Sequence, residues 1–291
     1  MSWLITGGSG QLGTALSREL AEYDYLFIAP NSQHLDITLG VHLLELIEDF
    51  SPKVIINCAA WTNVDTAESN ELLATKANTI GAENVALAAR QCKAKLIHMS
   101  TDYVFSGENT VPWKVDMNMN PQSVYGRTKA EGERRVLSIY AENAFIVRTA
   151  WLYSPWGKNF AKTMVRLALN SNDDVPVVND QIGQPTSASD LAKQIVTLGD
   201  SSAPAGIYHG TNGGHASWFE FAQEIFKLVG ANGERVIPTS SSQYPRPAKR
   251  PAYSVLDQSA WANTSVNPLR NWRIALKDAM PAIISAVEAE E

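Results

Sequence analysis

The chain has 291 residues, of which 45% are hydrophobic, and a formal net charge of −6. This length allows one large domain or two moderate ones, and the acidic balance argues against a nucleic-acid partner. The two cysteines, Cys58 and Cys92, lie in apolar segments, and the five histidines are scattered, so the sequence predicts neither a disulfide framework nor a metal site. No signal peptide and no apolar run near twenty residues is present, so we expect a soluble, cytoplasmic protein with no membrane partner.

A glycine-rich motif, Gly7-Gly8-Ser9-Gly10-Gln11-Leu12-Gly13, stands between an apolar strand and a helix. Gly7 can make a sharp turn, Gly10 lets the backbone approach a pyrophosphate, and Gly13 permits close packing of helix on strand. The helix N-terminus, with Gln11 and Leu12, offers free N–H groups and a favourable dipole to an anion. The context favours a dinucleotide site over an ordinary flexible glycine loop.

Strands and helices alternate through the first half of the chain. The predicted strands are 2–6, 25–29, 53–60, 95–100 and 144–149, and the predicted helices are 11–22, 41–50, 67–91 and 123–143. The strands are nearly all apolar, which indicates a parallel sheet covered on both faces. The fold class is therefore α/β, a Rossmann-type doubly wound parallel sheet, with ligands expected beyond the carboxyl ends of the strands.

The pattern loosens after residue 149, which indicates a second, smaller α/β lobe for substrate. Its predicted helices are 160–169, 188–198, 218–229 and 273–288, with strands at 175–178 and 206–209 and a proline- and serine-rich loop at 240–251. We assign residues 1–150 and roughly 181–209 to the dinucleotide-binding domain. Residues 151–180 and 210–291 form the predicted substrate lobe.

Tyr125 and Lys129 are spaced to share one face of a helix, about one turn apart. A lysine ammonium at this place favours the phenolate and is expected to lower the tyrosine pKa. The pair then suits a general acid that protonates a carbonyl oxygen while hydride reaches its carbon. The alternative is a solvated helix face with no chemical role.

Several motifs resemble one enzyme family. The segments 7–13, Ser100-Thr101-Asp102-Tyr103-Val104-Phe105 and 125–129 resemble the extended short-chain dehydrogenase/reductase superfamily. Within it, the segments Asn57 to Glu68, 148–153, 159–164 and 179–186 are similar to those of dTDP-4-dehydrorhamnose reductases. The similarity runs from residue 1 to about residue 275.

The resemblance implies a reaction and a set of roles. NAD(P)H would reduce the C4 ketone of dTDP-4-dehydro-L-rhamnose, giving dTDP-L-rhamnose. By resemblance, Tyr125 protonates the developing oxyanion, Lys129 contacts the nicotinamide ribose, and Thr101 hydrogen-bonds the substrate oxygen. The implied cofactor contacts are Gly7, Gly10, Gln11, Leu12, Gly13, Asp36, Ile37, Ala59, Ala60, Trp61, Thr62, Tyr125 and Lys129. The implied substrate contacts are Val64, Thr101, Asp102, Tyr125 and Trp151.

Some of these residues have plain alternatives. Thr101 and Asp102 could serve as turn or cap residues, Trp151 as core, and Asp36 as an unliganded turn residue. The basic residues Arg246, Lys249 and Arg250 could meet the substrate diphosphate or could lie on a solvated loop.

The sequence departs from known patterns at the positions that determine cofactor preference and oligomeric state. The second strand ends in Pro30-Asn31-Ser32, with no carboxylate to repel a 2′-phosphate, so we expect NADPH with NADH tolerated. Some family members dimerise through magnesium held by two glutamates. Ala15 and Arg273 occupy those places here, so we expect no metal and a monomer or weak homodimer.

Two other readings stay open at this point. The chain could reduce a different 4-keto-6-deoxy sugar nucleotide, because stereochemistry depends on which face of the ketone meets the hydride. It could also be a non-catalytic subunit, since the same fold serves as the regulatory subunit of a methionine adenosyltransferase.

Overall fold

Strands and helices alternate along the chain as the sequence predicts. The computed structural model describes residues 1–290. The strands are β1 (Ser2–Thr6), β2 (Leu26–Ile28), β3 (Val54–Asn57), β4 (Lys95–Thr101), β5 (Ala144–Thr149), β6 (Leu152–Tyr153), β7 (Val175–Val178), β8 (Ile182–Gly183), β9 (Thr186–Ser187), β10 (Gly206–His209), β11 (Ala216–Ser217) and β12 (Val236–Thr239). The helices are α1 (Gln11–Glu22), α2 (Gly40–Phe50), α3 (Val64–Ser69), α4 (Glu71–Thr75), α5 (Gly81–Cys92), α6 (Val124–Tyr140), α7 (Phe160–Asn170), α8 (Ala188–Asp200), α9 (Trp218–Val229) and α10 (Trp272–Glu288).

Six parallel strands form the central sheet, in the order β10-β5-β4-β3-β1-β2. Every residue of β3 and β5 is buried, because helices cover both faces of the sheet. The chain moves outward in opposite directions from β1 and β3, which makes a crevice at the carboxyl ends of these two strands. The predicted fold class is confirmed.

A core with residues of α2 and α5 packs on one face of the sheet, and two further hydrophobic cores lie on different parts of the chain. The first packs α1 and α8 against the sheet, and the second gathers α7, α9 and α10 around β7 and β12. Trp261 and Val266 belong to the first core although the predicted division puts them in the substrate lobe. Trp261 stacks on Tyr208 with ring centroids 4.5 Å apart and donates a hydrogen bond to the His209 carbonyl at 2.8 Å. The exact lobe boundary remains a prediction.

The predicted long helix at 67–91 is wrong as a single element. It is interrupted at Asn70, whose φ of −134° leaves the helical region and whose side-chain amide donates to the Thr66 carbonyl at 2.8 Å. Asparagine side chains compete in this way with the helical hydrogen bonds of the backbone. A π-helical turn, Lys76–Ile80, then joins α4 to α5. Such turns occur often at functional sites.

The acidic C-terminal segment has a structural partner. Glu290 forms ion pairs with the Lys162 ammonium at 2.5 Å and the Arg166 guanidinium at 3.0 Å, both on α7. The pair satisfies Lys162, which is only 3% exposed and would otherwise be an unpaired buried charge. Within residues 1–290, no helix is long and apolar enough to cross a membrane.

Candidate active site

The glycine-rich loop after β1 leaves no room for a side chain at Gly7 or Gly13. Gly7 has a φ of +69°, and a Cβ on it would lie 2.8 Å from the Ala59 amide nitrogen. A Cβ on Gly13 would collide with the Gly7 carbonyl oxygen and lie 2.8 Å from the Gly8 Cα. The turn is closed by a hydrogen bond from the Gly10 N–H to the Gly7 carbonyl at 3.0 Å. The backbone and the N-terminus of α1 are therefore open to a pyrophosphate, and these residues fit a dinucleotide.

Gly8 is not among the cofactor contacts predicted from the sequence. A Cβ there would lie 2.6 Å from the Ala29 carbonyl carbon, and the Gly8 N–H donates to the Pro30 carbonyl at 3.1 Å. Gly8 thus lets the loop pack against the end of β2. The two adjacent glycines, Gly7 and Gly8, are the feature of the sequence that could have predicted this close packing.

A cleft of about 690 Å³ opens at the carboxyl ends of the strands. It brings together most of the predicted site residues from segments far apart in the chain. The predicted residues that line it are Gly7, Gly10, Gln11, Leu12, Gly13, Ala59, Ala60, Thr62, Val64, Thr101, Asp102, Tyr125, Lys129 and Trp151. Further lining residues that are not among the predicted contacts are Ser9, Ser32, Cys58, Met99, Ser100, Tyr103, Thr149, Ala150, Leu152, Gly157 and Lys158.

Three predicted cofactor contacts do not line this cleft. Asp36 is exposed and accepts a hydrogen bond from the Thr38 N–H at 2.9 Å, as a turn residue does. Ile37 is 5% exposed and packs in the core below α2 and α5. Trp61 turns its ring nitrogen to the Asn63 carbonyl at 3.0 Å. Their contact with a cofactor remains a prediction.

The π-helical turn holds the backbone near Trp61 through a buried side chain, Asn78. Its amide oxygen accepts from the Trp61 N–H at 2.8 Å, and its amide nitrogen donates to the Trp61 carbonyl at 3.2 Å and the Thr128 hydroxyl at 3.0 Å. Asn78 thereby ties the loop after β3 to the helix that carries Tyr125. No local sequence pattern marks this residue.

Tyr125 stands in the first turn of α6, directly beside the end of β4. Ser123 caps the helix by accepting a hydrogen bond from the Gly126 N–H at 3.1 Å. Burial raises the pKa of Tyr125 to about 12, against a smaller opposing effect of the Thr101 hydroxyl. The Tyr103 ring packs edge-on against it, with centroids 5.5 Å apart. Tyr125 therefore keeps its proton at neutral pH, as a proton donor must.

The effect of Lys129 on the pKa of Tyr125 remains a prediction, and burial has the larger effect in the opposite direction. The Lys129 ammonium donates to the Met99 carbonyl at 2.6 Å and lies 3.5 Å from His98 Nε2. The causes of the raised Tyr125 pKa are burial first, the Thr101 hydroxyl in the opposite direction, and the Asp102 carboxylate. Burial instead lowers the pKa of Lys129 itself to about 8, while Glu133 acts in the opposite direction.

A buried ion pair holds α6 against the sheet. Arg148 on β5 and Glu133 on α6 are 2% and 0% exposed in their side chains, and their nearest charged atoms are 2.7 Å apart. The Ser100 hydroxyl donates a short hydrogen bond to the same carboxylate. Such buried pairs contribute directional bonds more than net stability. Glu133 is eight residues after Tyr125 on the same helix face, so this pair sets the register of both Tyr125 and Lys129.

Within residues 1–290, several buried polar atoms of the cleft and its surroundings remain without hydrogen-bond partners. Asp102 is 2% exposed, and burial raises its pKa to about 6. Its Oδ1 accepts from the Thr101 hydroxyl at 2.9 Å, but its Oδ2 has no hydrogen-bond partner within residues 1–290. The Ser254 hydroxyl faces this carboxylate and also has no partner of ordinary geometry, as is true of the Thr149 hydroxyl. Unsatisfied groups at a cleft are suited to meeting the hydroxyls of a sugar.

Trp151 lines the same side in a strained backbone conformation. Its φ is +47°, a region that bulky residues rarely occupy. Its ring stacks on Trp218 with centroids 3.6 Å apart, and a Cβ on Gly183 would lie 2.5 Å from its Cε2 atom. Packing on both faces maintains the strained position, which is common where a side chain serves a site.

No group of three or more His, Cys, Asp or Glu side chains that could hold a metal ion is present within the described part of the chain. At the two places compared with magnesium ligands, Ala15 is buried in α1, and the Arg273 guanidinium lies over the Trp272 ring at 4.3 Å. Neither side chain can coordinate a cation.

The comparisons agree with this geometry. Residues 1–284 match the family described as the RmlD substrate binding domain. A dTDP-4-dehydrorhamnose reductase from Streptomyces griseus is 46% identical over 97% of this chain and 93% of its own length. A probable dTDP-4,6-dihydroxy-2-methyloxan-3-one 4-ketoreductase from Streptomyces antibioticus is 42% identical over 98% and 97%. The crystal structure of a Bacillus anthracis dTDP-4-dehydrorhamnose reductase in complex with NADP is similar, with a TM-score of 0.91, 38% identity and coverage of 96% of this chain and 98% of that one. The resemblance predicted from the motifs is confirmed, and the chain belongs to the RmlD substrate binding domain family.

Proposed function

We propose that this protein reduces the C4 ketone of dTDP-4-dehydro-L-rhamnose to dTDP-L-rhamnose with NADPH. The observation that carries the proposal is a protonated Tyr125 in one cleft with a backbone cradle for a dinucleotide. The reductases among the relatives, similar over almost the whole chain, give the substrate class.

The residues of the chain divide the work of such a reduction. A bound nicotinamide cofactor supplies hydride. Tyr125 donates its phenolic proton to the substrate oxygen as negative charge develops there. Thr101, at the end of β4, orients that oxygen, and its hydroxyl already acts on Tyr125. Asp102 and Trp151 would hold the sugar, the first through hydroxyl hydrogen bonds and the second through its ring face.

For Lys129 we propose the contact with the nicotinamide ribose that the resemblance implies. Its ammonium donates to the Met99 carbonyl of β4 at the edge of the cleft, which supports a further hydrogen bond to a ligand there. Burial makes its positive charge costly, which favours any ligand that accepts its remaining hydrogen bonds.

NADPH is the proposed cofactor, with NADH tolerated. The relative from Bacillus anthracis was crystallised with NADP. In this chain Ser32 follows β2 and lines the cleft, where a carboxylate would repel the 2′-phosphate of NADPH.

A second candidate is reduction of another 4-keto-6-deoxy sugar nucleotide. The similar Streptomyces antibioticus protein is named as a 4-ketoreductase of a different sugar, so the family includes more than one substrate. The test is incubation with enzymatically generated dTDP-4-dehydro-L-rhamnose and NADPH, with nicotinamide absorbance followed and the sugar product identified. Oxidation of NADPH with rhamnose as product supports the proposal. Another hexose supports the second candidate, and absence of turnover with capture of a protein partner favours a regulatory subunit.

We further propose a cytoplasmic monomer or weak homodimer that needs no bridging metal. Ala15 and Arg273, which replace possible ligands, support this. Sedimentation velocity with magnesium and with EDTA should give the same mass, whereas a magnesium-dependent dimer would refute it.

A further inference from the structure

The short helix α3 carries an acidic residue that reaches the second lobe. The Asp65 carboxylate pairs with the Arg250 guanidinium at 2.9 Å, and its other oxygen accepts from the Ala248 N–H at 3.3 Å. The two charged side chains are 24% and 23% exposed, and Ala248 is 2% exposed. A partly buried pair with a backbone hydrogen bond is more strongly directional than a surface ion pair.

The same helix also holds the helix that carries Tyr125. Glu68 Oε1 accepts a hydrogen bond from the Val124 N–H at 2.8 Å, at the first residue of α6. Ala67 and Val124 pack in one small cluster with Tyr125 against it. An acidic side chain at this position stabilises a helix N-terminus. Thus α3 contacts the general acid on one side and the 248–250 segment on the other.

The segment that Asp65 holds continues towards the substrate side of the cleft. Pro251 packs on Gly107, where a Cβ would lie 2.5 Å from the Pro251 Cα. Three residues further on, the Ser254 hydroxyl faces Asp102. Arg250 also acts on Tyr103, a cleft residue, by lowering its pKa against the effect of burial. The position of this segment therefore affects the wall of the cleft that meets substrate.

We propose that Asp65 is a positioning residue that clasps the 248–254 segment of the second lobe in place for sugar-nucleotide binding. The inference deepens the proposed function and rests on it. Asp65 does not line the cleft, so it acts through Ala248 and Arg250. Its loss should weaken binding of the sugar nucleotide and leave binding of the dinucleotide intact, because the Asp65 carboxylate bonds Arg250 and Ala248 and the glycine-rich loop is built from a different segment.

The test compares Asp65→Ala with Glu108→Ala. Glu108 pairs with Lys249 at 2.7 Å, so it contacts the same segment, but both side chains are more than half exposed. We expect Asp65→Ala to weaken dTDP binding and raise KM for the sugar nucleotide about tenfold, ~1.4 kcal/mol, with the Kd of NADPH changed less than twofold. Glu108→Ala should leave all three constants unchanged.

A double variant separates the clasp from independent contributions. Asp65→Ala with Arg250→Met should weaken dTDP binding no more than the stronger single variant, because both remove one interaction. Additive losses would show that the residues act separately and would overturn the proposal, as would an equal loss of NADPH affinity or no loss of dTDP affinity in Asp65→Ala.

Hydrogen exchange measures the clasp without any ligand. The Ala248 amide should exchange faster in Asp65→Ala than in the wild type and in Glu108→Ala, because its acceptor is removed. Unchanged exchange would refute the clasp even where dTDP binding is weakened. If the wild type binds no dTDP, the proposed function fails, while the exchange data still decide whether the clasp exists.

Discussion

The two halves of the cleft are built from different parts of the chain. The cofactor half consists of backbone: Gly7 and Gly13 are packed so closely that a methyl group would collide with main-chain atoms. The proposed substrate half consists of side chains, and several of them, including Asp102 and Ser254, have buried polar atoms without hydrogen-bond partners within residues 1–290. The cofactor half therefore depends on the shape of the backbone, whereas the substrate half depends on polar side-chain atoms.

This difference has a physical consequence for tolerance to mutation. A backbone cradle is destroyed by added volume, because close-packed main chain cannot move aside. A set of unsatisfied side chains costs folding free energy, so replacing one by a neutral group can stabilise the protein while weakening substrate binding.

Tyr125, the proposed general acid, lines the cleft, so we expect its removal to have the largest effect. We expect Tyr125→Phe to lower turnover by about 10²-fold or more, since the developing oxyanion loses its proton donor. NADPH affinity should stay within about twofold, because the aromatic ring at position 125 and its packing on Tyr103 remain. Single-turnover kinetics and cofactor titration measure the two quantities. Full activity would remove Tyr125 from the mechanism.

Added volume tests the cofactor half. Gly13→Ala should weaken NADPH binding by about 30-fold, ~2 kcal/mol, because its Cβ must displace the Gly7 carbonyl and Gly8. The matched control is Gly233→Ala, where the nearest atom would be 3.9 Å away. The control should bind NADPH normally in the same fluorescence titration. Equal affinity in both variants would contradict the close-packed cradle.

The two halves also differ in how far the sequence predicts them. The glycine motif and the Tyr125/Lys129 spacing are local patterns, so the turn, the helix and the shared face follow from a few neighbouring residues. The direction of the Lys129 ammonium does not, because it depends on the Met99 carbonyl, 30 residues away in the chain. The clasp between Asp65 and Ala248 spans 183 residues, a contact that no local periodicity predicts.

The irregular backbone segments could not be predicted from local sequence patterns either. The break at Asn70 depends on a competing side-chain hydrogen bond, and the inward direction of Asn78 in the π-helical turn depends on Thr128, 50 residues away in the chain. The alternation of strands and helices could be predicted from the sequence because each strand is nearly all apolar, as burial on both faces of the sheet requires.

A neutral replacement tests the substrate half. Asp102→Asn should raise the free energy of unfolding by about 1 to 2 kcal/mol at pH 8. The folded-state pKa of Asp102, about 6, lies above the ordinary value of 3.8, so the folded protein holds the proton more tightly than the unfolded chain. Wild-type stability therefore falls as pH rises from about 4 to 6, and the variant escapes this loss.

Urea unfolding at pH 4.5 and pH 8 checks the sign. The advantage of Asp102→Asn should be small at the lower pH and complete at the higher one, while KM for the sugar nucleotide rises at both. Thr101→Val, which removes the hydroxyl donated to Asp102, is the companion variant. It should destabilise at pH 8, since it leaves the ionised carboxylate with one bond fewer. If Asp102→Asn were less stable than the wild type at pH 8, the ionised Asp102 carboxylate would not be destabilising the folded protein.

The last prediction concerns the preference for NADPH over NADH in the cofactor half of the cleft. Ser32 lines the cleft after β2, so Ser32→Asp places a carboxylate where it can hydrogen-bond a ribose 2′-hydroxyl and repel a 2′-phosphate. The ratio of kcat/KM for NADPH to that for NADH should fall about tenfold, ~1.4 kcal/mol. Gln33→Glu adds the same charge one residue later, at an exposed position outside the cleft, and should leave the ratio unchanged. A ratio altered equally by both variants would mean that net charge, rather than a contact at Ser32, selects the cofactor. A change of the ratio confined to Ser32→Asp would show that the side chain at position 32 selects between NADPH and NADH.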